Sequence, residues 1–265
     1  MNVILKKKSL GQHFLTDENI ARKIVRTADV QKSDTVWEIG PGSGVLTKIL
    51  IEKCRRLYAF EIDDEWYGFL QSQYGKTGII LVNADILEVD FQKFFHGEKV
   101  KIVANLPYQI TSPVLFKILE NREKFSSVTV MIQDEVADRL CASPGNKEYG
   151  ILSVKLQLYF RIQKKFIVPP HVFRPQPKVR SAVVQLIPRQ DIPEIIDHSQ
   201  LRTLIDAVFN HRRKMLRVTL KSFLPDREYE LLSKSSIDLT RRPEELSIQE
   251  FVELSNTIET MKKGV

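Results

Sequence analysis

The chain predicts an α/β fold, a Rossmann-like seven-stranded sheet followed by a small all-α part, on three observations. Short apolar runs recur at residues 36–39, 57–60, 79–82, 100–104, 128–132, 162–168 and 181–187, with helix-spaced apolar residues between most of them. The first run leads directly into Gly40, Pro41, Gly42, Ser43 and Gly44 and then into helical spacing. Strand, glycine turn and helix in that order form a mononucleotide-type cradle. From about residue 190 only helical spacing remains, punctuated by Pro193, Pro225 and Pro243. The boundaries that follow are 1–189 for the sheet domain and 190–265 for a helical domain.

At 265 residues and 43% hydrophobic, the chain can bury one substantial core and a smaller one. It has no apolar run of 18 residues, and its N-terminal charges follow a short apolar stub, the reverse of a signal peptide's order. A cytoplasmic protein with no membrane span is expected. Cys54 and Cys141 are too few and too far apart for a disulfide framework or a zinc site, so no metal is expected. The net charge of +7 is unevenly spread: residues 190–265 hold 12 Lys and Arg against 13 Asp and Glu, which leaves 28 against 20 in residues 1–189. Two acid-free stretches concentrate the excess, residues 1–16 with Lys6, Lys7 and Lys8, and residues 161–189 with Arg161, Lys164, Lys165, Arg174, Lys178, Arg180 and Arg189. Arg212, Arg213, Lys214 and Arg217 form a third patch that one helical face could present. Three such clusters point to a phosphate backbone as partner.

Taken in order, Gly11, Gln12, His13, Phe14 and Leu15 precede a helix over about 17–30 capped by Thr16 or Asp17. That stretch is either a plain arm or a flap over a neighbouring ligand. The glycines after the first strand are spaced G-x-G-x-G, which is neither a dinucleotide fingerprint nor a P-loop, and Glu38 beside them would repel a phosphate. The second strand ends at Glu61, about 20 residues beyond the glycines, where a carboxylate reaches ribose hydroxyls. Asp63 and Asp64 read as solvated helix-start charges. The third strand ends in Asn83, Ala84, Asp85 and Ile86. Asp85 could accept from an adenine amine while Ile86 packs on the ring, or it could be a helix cap.

The fourth strand delivers Asn105, Leu106, Pro107 and Tyr108 at its C-terminal mouth, where open α/β sheets bind ligands. The amide and nearby carbonyls can accept from an exocyclic amine, Pro107 stiffens the turn, and Tyr108 offers a face for stacking. After the fifth strand come a helix, an exposed loop over 143–149 and a helix over 151–159. The last two strands are joined by a stretch with four prolines, expected to stay extended and to lift Phe173 among cations, an arrangement that holds unstacked bases.

Together these residues resemble the small-subunit ribosomal RNA adenine N6,N6-dimethyltransferase family along nearly the whole chain. GQHFL, EIGPGSG, Glu61 with Ile62, Asp85 and NLPY resemble that family's cofactor and target-amine motifs, and VFRPQPKVRSAVV, NHRRKMLR and LTRRPEELS resemble its later signatures. Gln109 and Thr111 depart from the Asn and Ser commoner there. The resemblance implies a class I methyltransferase with a mixed seven-stranded sheet, using S-adenosyl-L-methionine. It implies cofactor binding by His13, Leu15, Gly40, Gly42, Glu61, Ile62, Asp85, Ile86 and Asn105, and catalysis by Asn105, Leu106, Pro107 and Tyr108. Phe173 would stack the target adenine opposite Tyr108. The implied partner is small-subunit ribosomal RNA in an immature small subunit, met by a monomer. The related large-subunit macrolide-resistance methyltransferases share the catalytic set but usually carry Ile before the proline. A non-catalytic assembly factor on the same fold would need damage in NLPY or the glycine turn. An NAD oxidoreductase would need G-x-G-x-x-G.

Overall fold

A computed structural model describes residues 13–235 and 237–263. Lys6, Lys7 and Lys8 of the first basic stretch, and Gly11 and Gln12 of the arm motif, lie outside the described residues.

The described chain forms two compact units. The first runs to Ala137 and takes in Phe160–Pro188; the second holds Asp138–Tyr159 and the chain from Arg189 onward. The first opens with a two-residue strand β1 (Phe14–Leu15) and helix α1 (Glu18–Thr27), whose cap is Asp17: its carboxylate accepts from Asn19 and Ile20 N–H at 2.8 and 3.1 Å. Then follow β2 (Thr35–Ile39), α2 (Thr47–Lys53), β3 (Arg56–Glu61), α3 (Asp64–Tyr74), β4 (Ile80–Asn83), β5 (Val100–Asn105), α4 (Thr111–Glu120), β6 (Phe125–Gln133) and α5 (Asp134–Cys141). After α6 (Ile151–Tyr159) in the second unit, the chain returns as β7 (Phe160–Val168), β8 (Phe173–Arg174) and β9 (Ser181–Pro188).

The main sheet runs β4-β3-β2-β5-β6-β9-β7. The pairs from β4 to β6 are parallel, while β9 is antiparallel to both β6 and β7, so the sheet is mixed and seven-stranded as the sequence predicts. All five residues of β2 are buried, as expected for a central parallel strand covered on both faces. Alternation sends Val36 and Trp37 to opposite layers. Val36 joins a core with Ala21, Ile24, Leu50, Val103 and Val183. Trp37 meets Phe91 and Phe60 edge-on, with ring centroids 5.2 and 5.4 Å away.

Because β2 pairs with β3 on one side and β5 on the other, strand order reverses about β2. Ile39 lies in register with Phe60 and with Ala104, so the glycine turn after β2 and the Asn105 turn after β5 leave the same end of the sheet side by side. This is the switch point at which open α/β sheets bind ligands.

The proline-rich joint is not simply extended. Pro170–Val172 makes one 3-10 turn, and β8 then pairs antiparallel with β1, placing Leu15 opposite Phe173 and Phe14 opposite Arg174. The Arg174–Pro175 peptide is cis.

The second unit packs α6 with α7 (His198–Phe209), α8 (Leu216–Phe223), α9 (Asp226–Ser233) and α10 (Ile248–Lys263). Their inward residues include Leu156, Leu204, Val208, Leu220, Leu232 and Phe251. Segment 138–159, which the sequence boundary leaves with the sheet domain, is thus grouped with the helices. Its Lys155 pairs with Asp206 at 2.7 Å. The Arg212–Lys214 cluster sits on the turn between α7 and α8 rather than on a helical face, and Arg212 pairs with Glu244 at 2.5 Å. No helix among the described residues is long and apolar enough to cross a membrane, and none of their His, Cys, Asp and Glu side chains gather in threes to hold a metal ion.

Candidate active site

A cleft with about 1000 Å³ of empty space opens at the switch point. Its walls come from the arm, the glycine turn, the ends of β3 and β4, and the turn after β5. Of the predicted residues, His13, Gly40, Gly42, Glu61, Ile62, Asp85, Ile86, Asn105, Leu106, Pro107 and Tyr108 all line it.

The glycine turn is shaped for close approach. Gly40 and Gly42 hold positive φ of 66° and 51°, which L side chains rarely adopt, and Gly40 N–H donates to the Phe60 carbonyl at 2.9 Å. A Cβ on Gly42 would come within 2.6 Å of Phe14 Cε1. Phe14 itself packs on Trp66 at 4.7 Å between centroids, so the arm lies against the turn as a flap does.

Glu61 is 3% exposed, and its two oxygens accept the Gly42 and Asp63 N–H groups, each at 3.0 Å. Burial pushes its carboxyl above the ordinary range, while those two N–H groups hold it down. Each carboxylate oxygen keeps a further lone pair for a ligand hydroxyl. Asp63 beside it is buried rather than solvated, as the cap of α3, accepting from Glu65 and Trp66 N–H at 2.9 and 3.3 Å. Asp85 accepts the Leu87 N–H at 2.8 Å, a local turn bond that uses one oxygen and leaves the residue on the cleft wall.

Glu38 departs from its expected role. It does not line the cleft; it is 1% exposed beneath it, accepts the Thr47 hydroxyl at 2.7 Å, and burial raises its pKa to about 8. Burial favours its neutral form and keeps it off the cleft wall, where the carboxyl groups are those of Glu61 and Asp85.

On the opposite wall, Asn105 Nδ2 donates to the His13 carbonyl at 3.0 Å. His13 Nδ1 lies 2.8 Å from the Pro175 carbonyl, which can only accept, so Nδ1 carries the hydrogen. The His13 ring rests 5.3 Å from that of Tyr108, tilted by 36°. The Pro107 carbonyl accepts both the Ile110 N–H at 3.2 Å and the Thr111 hydroxyl at 3.1 Å.

Two predicted residues stay out of the cleft. Leu15 and Phe173 are 2% and 0% exposed, within the core that holds Ile24 and Val183. Phe173 is therefore not lifted among cations: pairing with β1 turns its ring inward, and alternation turns Arg174 outward. Several cations of that tract are already engaged. Lys164 and Arg180 both pair with Asp134, the latter at 2.8 Å, and Arg189 pairs with Asp191 at 3.2 Å.

Conversely, the site residues expected from the sequence omit Phe14, Ile39, Phe60, Ala84, Gln109 and Ile110, which line the cleft. Phe14 was within reach as the aromatic next to His13. Ala84, Gln109 and Ile110 were likewise within reach as neighbours of Asp85 and Tyr108, whereas Ile39 and Phe60 required the sheet register.

A family model described as ribosomal RNA adenine dimethylase matches residues 3–260. The chain belongs to the ribosomal RNA adenine dimethylase family. Among dimethylase relatives, a protein from Prosthecochloris aestuarii named ribosomal RNA small subunit methyltransferase A is 44% identical over 259 residues, covering 98% of this chain and 96% of its own. One of the same name from Bacteroides thetaiotaomicron is 39% identical, with 99% and 97% covered. Among solved structures, a dimethyladenosine transferase from Plasmodium falciparum superposes with a TM-score of 0.78 at 25% identity, covering 96% of this chain and 99% of that one. The 23S rRNA methyltransferase ErmE superposes at 0.69 and 25%, covering 93% and 99%. The class I methyltransferase architecture of this dimethylase chain is thereby shared with both.

Proposed function

We propose that this chain dimethylates the N6 amines of two adjacent adenines near the 3′ end of small-subunit ribosomal RNA, with S-adenosylmethionine as donor, during small-subunit biogenesis in the cytoplasm. The observation that carries this reading is the Asn105 to His13 bond. It engages an N–H of the amide and leaves the oxygen of this cleft-lining residue, next to the glycine turn, as an acceptor.

Bound S-adenosylmethionine supplies a methyl on an electron-poor sulfonium. The residues suited to hold it are Glu61 for the ribose hydroxyls, Asp85 with Ile62 and Ile86 for the adenine, and the Gly40–Gly42 turn for close approach. The fit rests on a positive-φ turn whose Gly40 and Gly42 carry no Cβ of their own and on the Glu61 and Asp85 carboxyl groups of the same cleft, which complement a sulfonium.

An adenine amine is a weak nucleophile because its lone pair is shared with the ring. The Asn105 oxygen and one main-chain carbonyl would accept its two N–H groups and favour a localised lone pair. The Pro107 carbonyl is already used twice, so Leu106 is assigned the second acceptor. Such positioning contributes up to ~7–11 kcal/mol in well-oriented systems. Stacking on Tyr108 adds roughly 1–3 kcal/mol for an extruded base. With Phe173 buried, no second stacking wall is assigned to it.

Large-subunit adenine methylation is the second reading, favoured by the likeness to ErmE. The names of the relatives support the first. The test is mass mapping of methyl groups on RNA from unmethylated small and large subunits incubated with the protein and donor. Dimethyladenine on the small-subunit RNA alone is expected; methyl groups on the large-subunit RNA alone, or on neither, would overturn the reading.

A further inference from the structure

Tyr108 stands at the start of a single 3-10 turn, Tyr108–Ile110, half-buried in the cleft wall. A phenol on so short a support can swing about its first side-chain torsion unless its tip is held. The tip is held: the Tyr108 hydroxyl and Ser181 Oγ are hydrogen-bonded at 2.8 Å, across 73 residues of chain.

The mount is rigid. Ser181 is fully buried, is the first residue of β9, and lies in register with Gln133 of β6 on one side and Val168 of β7 on the other. Just before it, the Arg180 carbonyl accepts the Asp134 N–H at 3.0 Å, and the Arg180 guanidinium pairs with the Asp134 carboxylate at 2.8 Å. Two ladders and this double tie fix the backbone that carries the hydroxyl. Ser181 itself does not line the cleft, so it meets a ligand only through Tyr108.

The phenolic oxygen lies on the axis of ring flipping. A hydrogen bond there leaves the ring plane free and fixes the direction in which the ring points. The plane is limited from the side by the His13 ring, 5.3 Å away.

We propose that Ser181 is a positioning residue for methyl transfer, aiming the Tyr108 ring at the place where the target base stacks beside Asn105. The inference rests on the reading of the cleft as an adenine-amine methyltransferase site and adds a residue to it from outside the cleft wall. Loss of the hydroxyl leaves the stacking surface present but unaimed, so it slows transfer without touching the donor's contacts.

The experiment compares Ser181→Ala, Tyr108→Phe, the double variant and Ser181→Thr, which keeps a hydroxyl. For each, the single-turnover rate on unmethylated small subunits at saturating donor is measured with the donor Kd by calorimetry and the thermal midpoint. Tyr108→Phe removes the same bond from the partly exposed side, so the result does not hinge on the folding of a buried substitution. Expected are losses of about tenfold in rate for Ser181→Ala and for Tyr108→Phe, the scale of one hydrogen bond. The double variant should be no slower than either single one, the donor Kd should stay within about twofold of wild type, and Ser181→Thr should recover most of the rate.

A wild-type rate in Ser181→Ala overturns the proposal. So do losses that multiply in the double variant, or a loss that follows donor affinity and thermal midpoint and is not recovered by threonine. Wild-type protein inert on both subunits overturns the reading of the cleft, and this inference with it; active wild type with an unaffected Ser181→Ala overturns the inference alone.

Discussion

The side-chain amide of Asn105 is oriented by the main chain of His13, 92 residues earlier, through the 3.0 Å bond from Nδ2 to the His13 carbonyl. A carboxamide has one donor end and one acceptor end, so tying the donor end to the arm fixes which end is which and leaves the oxygen to accept from a ligand. Asn105→Ala removes that acceptor, and Asn105→Asp sets a carboxylate against a carbonyl. Both variants should lose at least about a hundredfold in methyl-transfer rate, the scale of one preorganised polar contact to a reacting group. Donor affinity should change far less. Labelled methyl transfer to small subunits beside donor calorimetry checks this; near wild-type turnover in Asn105→Ala would refute the assigned role.

The arm and the glycine turn are coupled by the space between Gly42 and Phe14. An alanine at 42 must hold φ near +51°, at about 1–2 kcal/mol, and place its Cβ 2.6 Å from the Phe14 ring. The ring has to move, and the arm with it. Gly42→Ala should weaken donor binding by about tenfold or more. Adding Phe14→Leu should recover part of that loss, because the two changes share one contact. Additive losses in the double variant would show that the contact is not what couples them.

Features carried by a few adjacent residues were legible in the sequence. Gly40 and Gly42 of the G-x-G-x-G turn, Glu61, Asp85 and Asn105–Tyr108 are each local, and each lines the cleft. The apolar runs located the strands to within a few residues, and the helix over 151–159 matches α6. Features set by pairing between distant segments were not legible. That β1 would meet β8, joining Leu15 to Phe173, cannot be inferred from either dipeptide, yet it decides that Phe173 faces inward. The attachment of 138–159 to the helices is likewise a matter of tertiary packing. Glu38 is a third case: its burial under the turn, and hence its weak charge, follows from the layers above and below β2.

Glu38 gives a pH dependence with a definite sign. Its pKa is about 8 in the folded chain against an ordinary 4.5, so the folded state binds the proton more tightly than the unfolded state. The stabilisation this confers is complete below about 4.5 and is lost as pH rises through about 8. Glu38→Gln removes the titration and keeps an oxygen for the Thr47 hydroxyl. Relative to that variant, the wild type should lose stability with rising pH by up to about 1.4 kcal/mol per unit across the window. Denaturant unfolding of both proteins at pH 5, 7 and 9 measures the difference. Parallel pH profiles would mean that Glu38 titrates as an ordinary carboxylate.

Phe173 separates two accounts of the proline-rich tract. If the ring stacks a base, Phe173→Ala slows turnover and leaves stability nearly untouched. In the structure the ring is 0% exposed, faces Leu15 across the β1–β8 pair, and belongs to the core that holds Ile24 and Val183. Truncating a buried phenylalanine removes its transfer energy and leaves a cavity, together about 3–5 kcal/mol. Phe173→Ala should therefore unfold at markedly lower denaturant. Its arm should also loosen, because Thr16 N–H and hydroxyl both bond to the Val172 carbonyl beside it, each at 2.9 Å. Phe173→Leu fills most of the volume without an aromatic face, so it should keep most of both stability and turnover. A Phe173→Leu variant that is stable yet nearly inactive would instead return Phe173 to the base-stacking role.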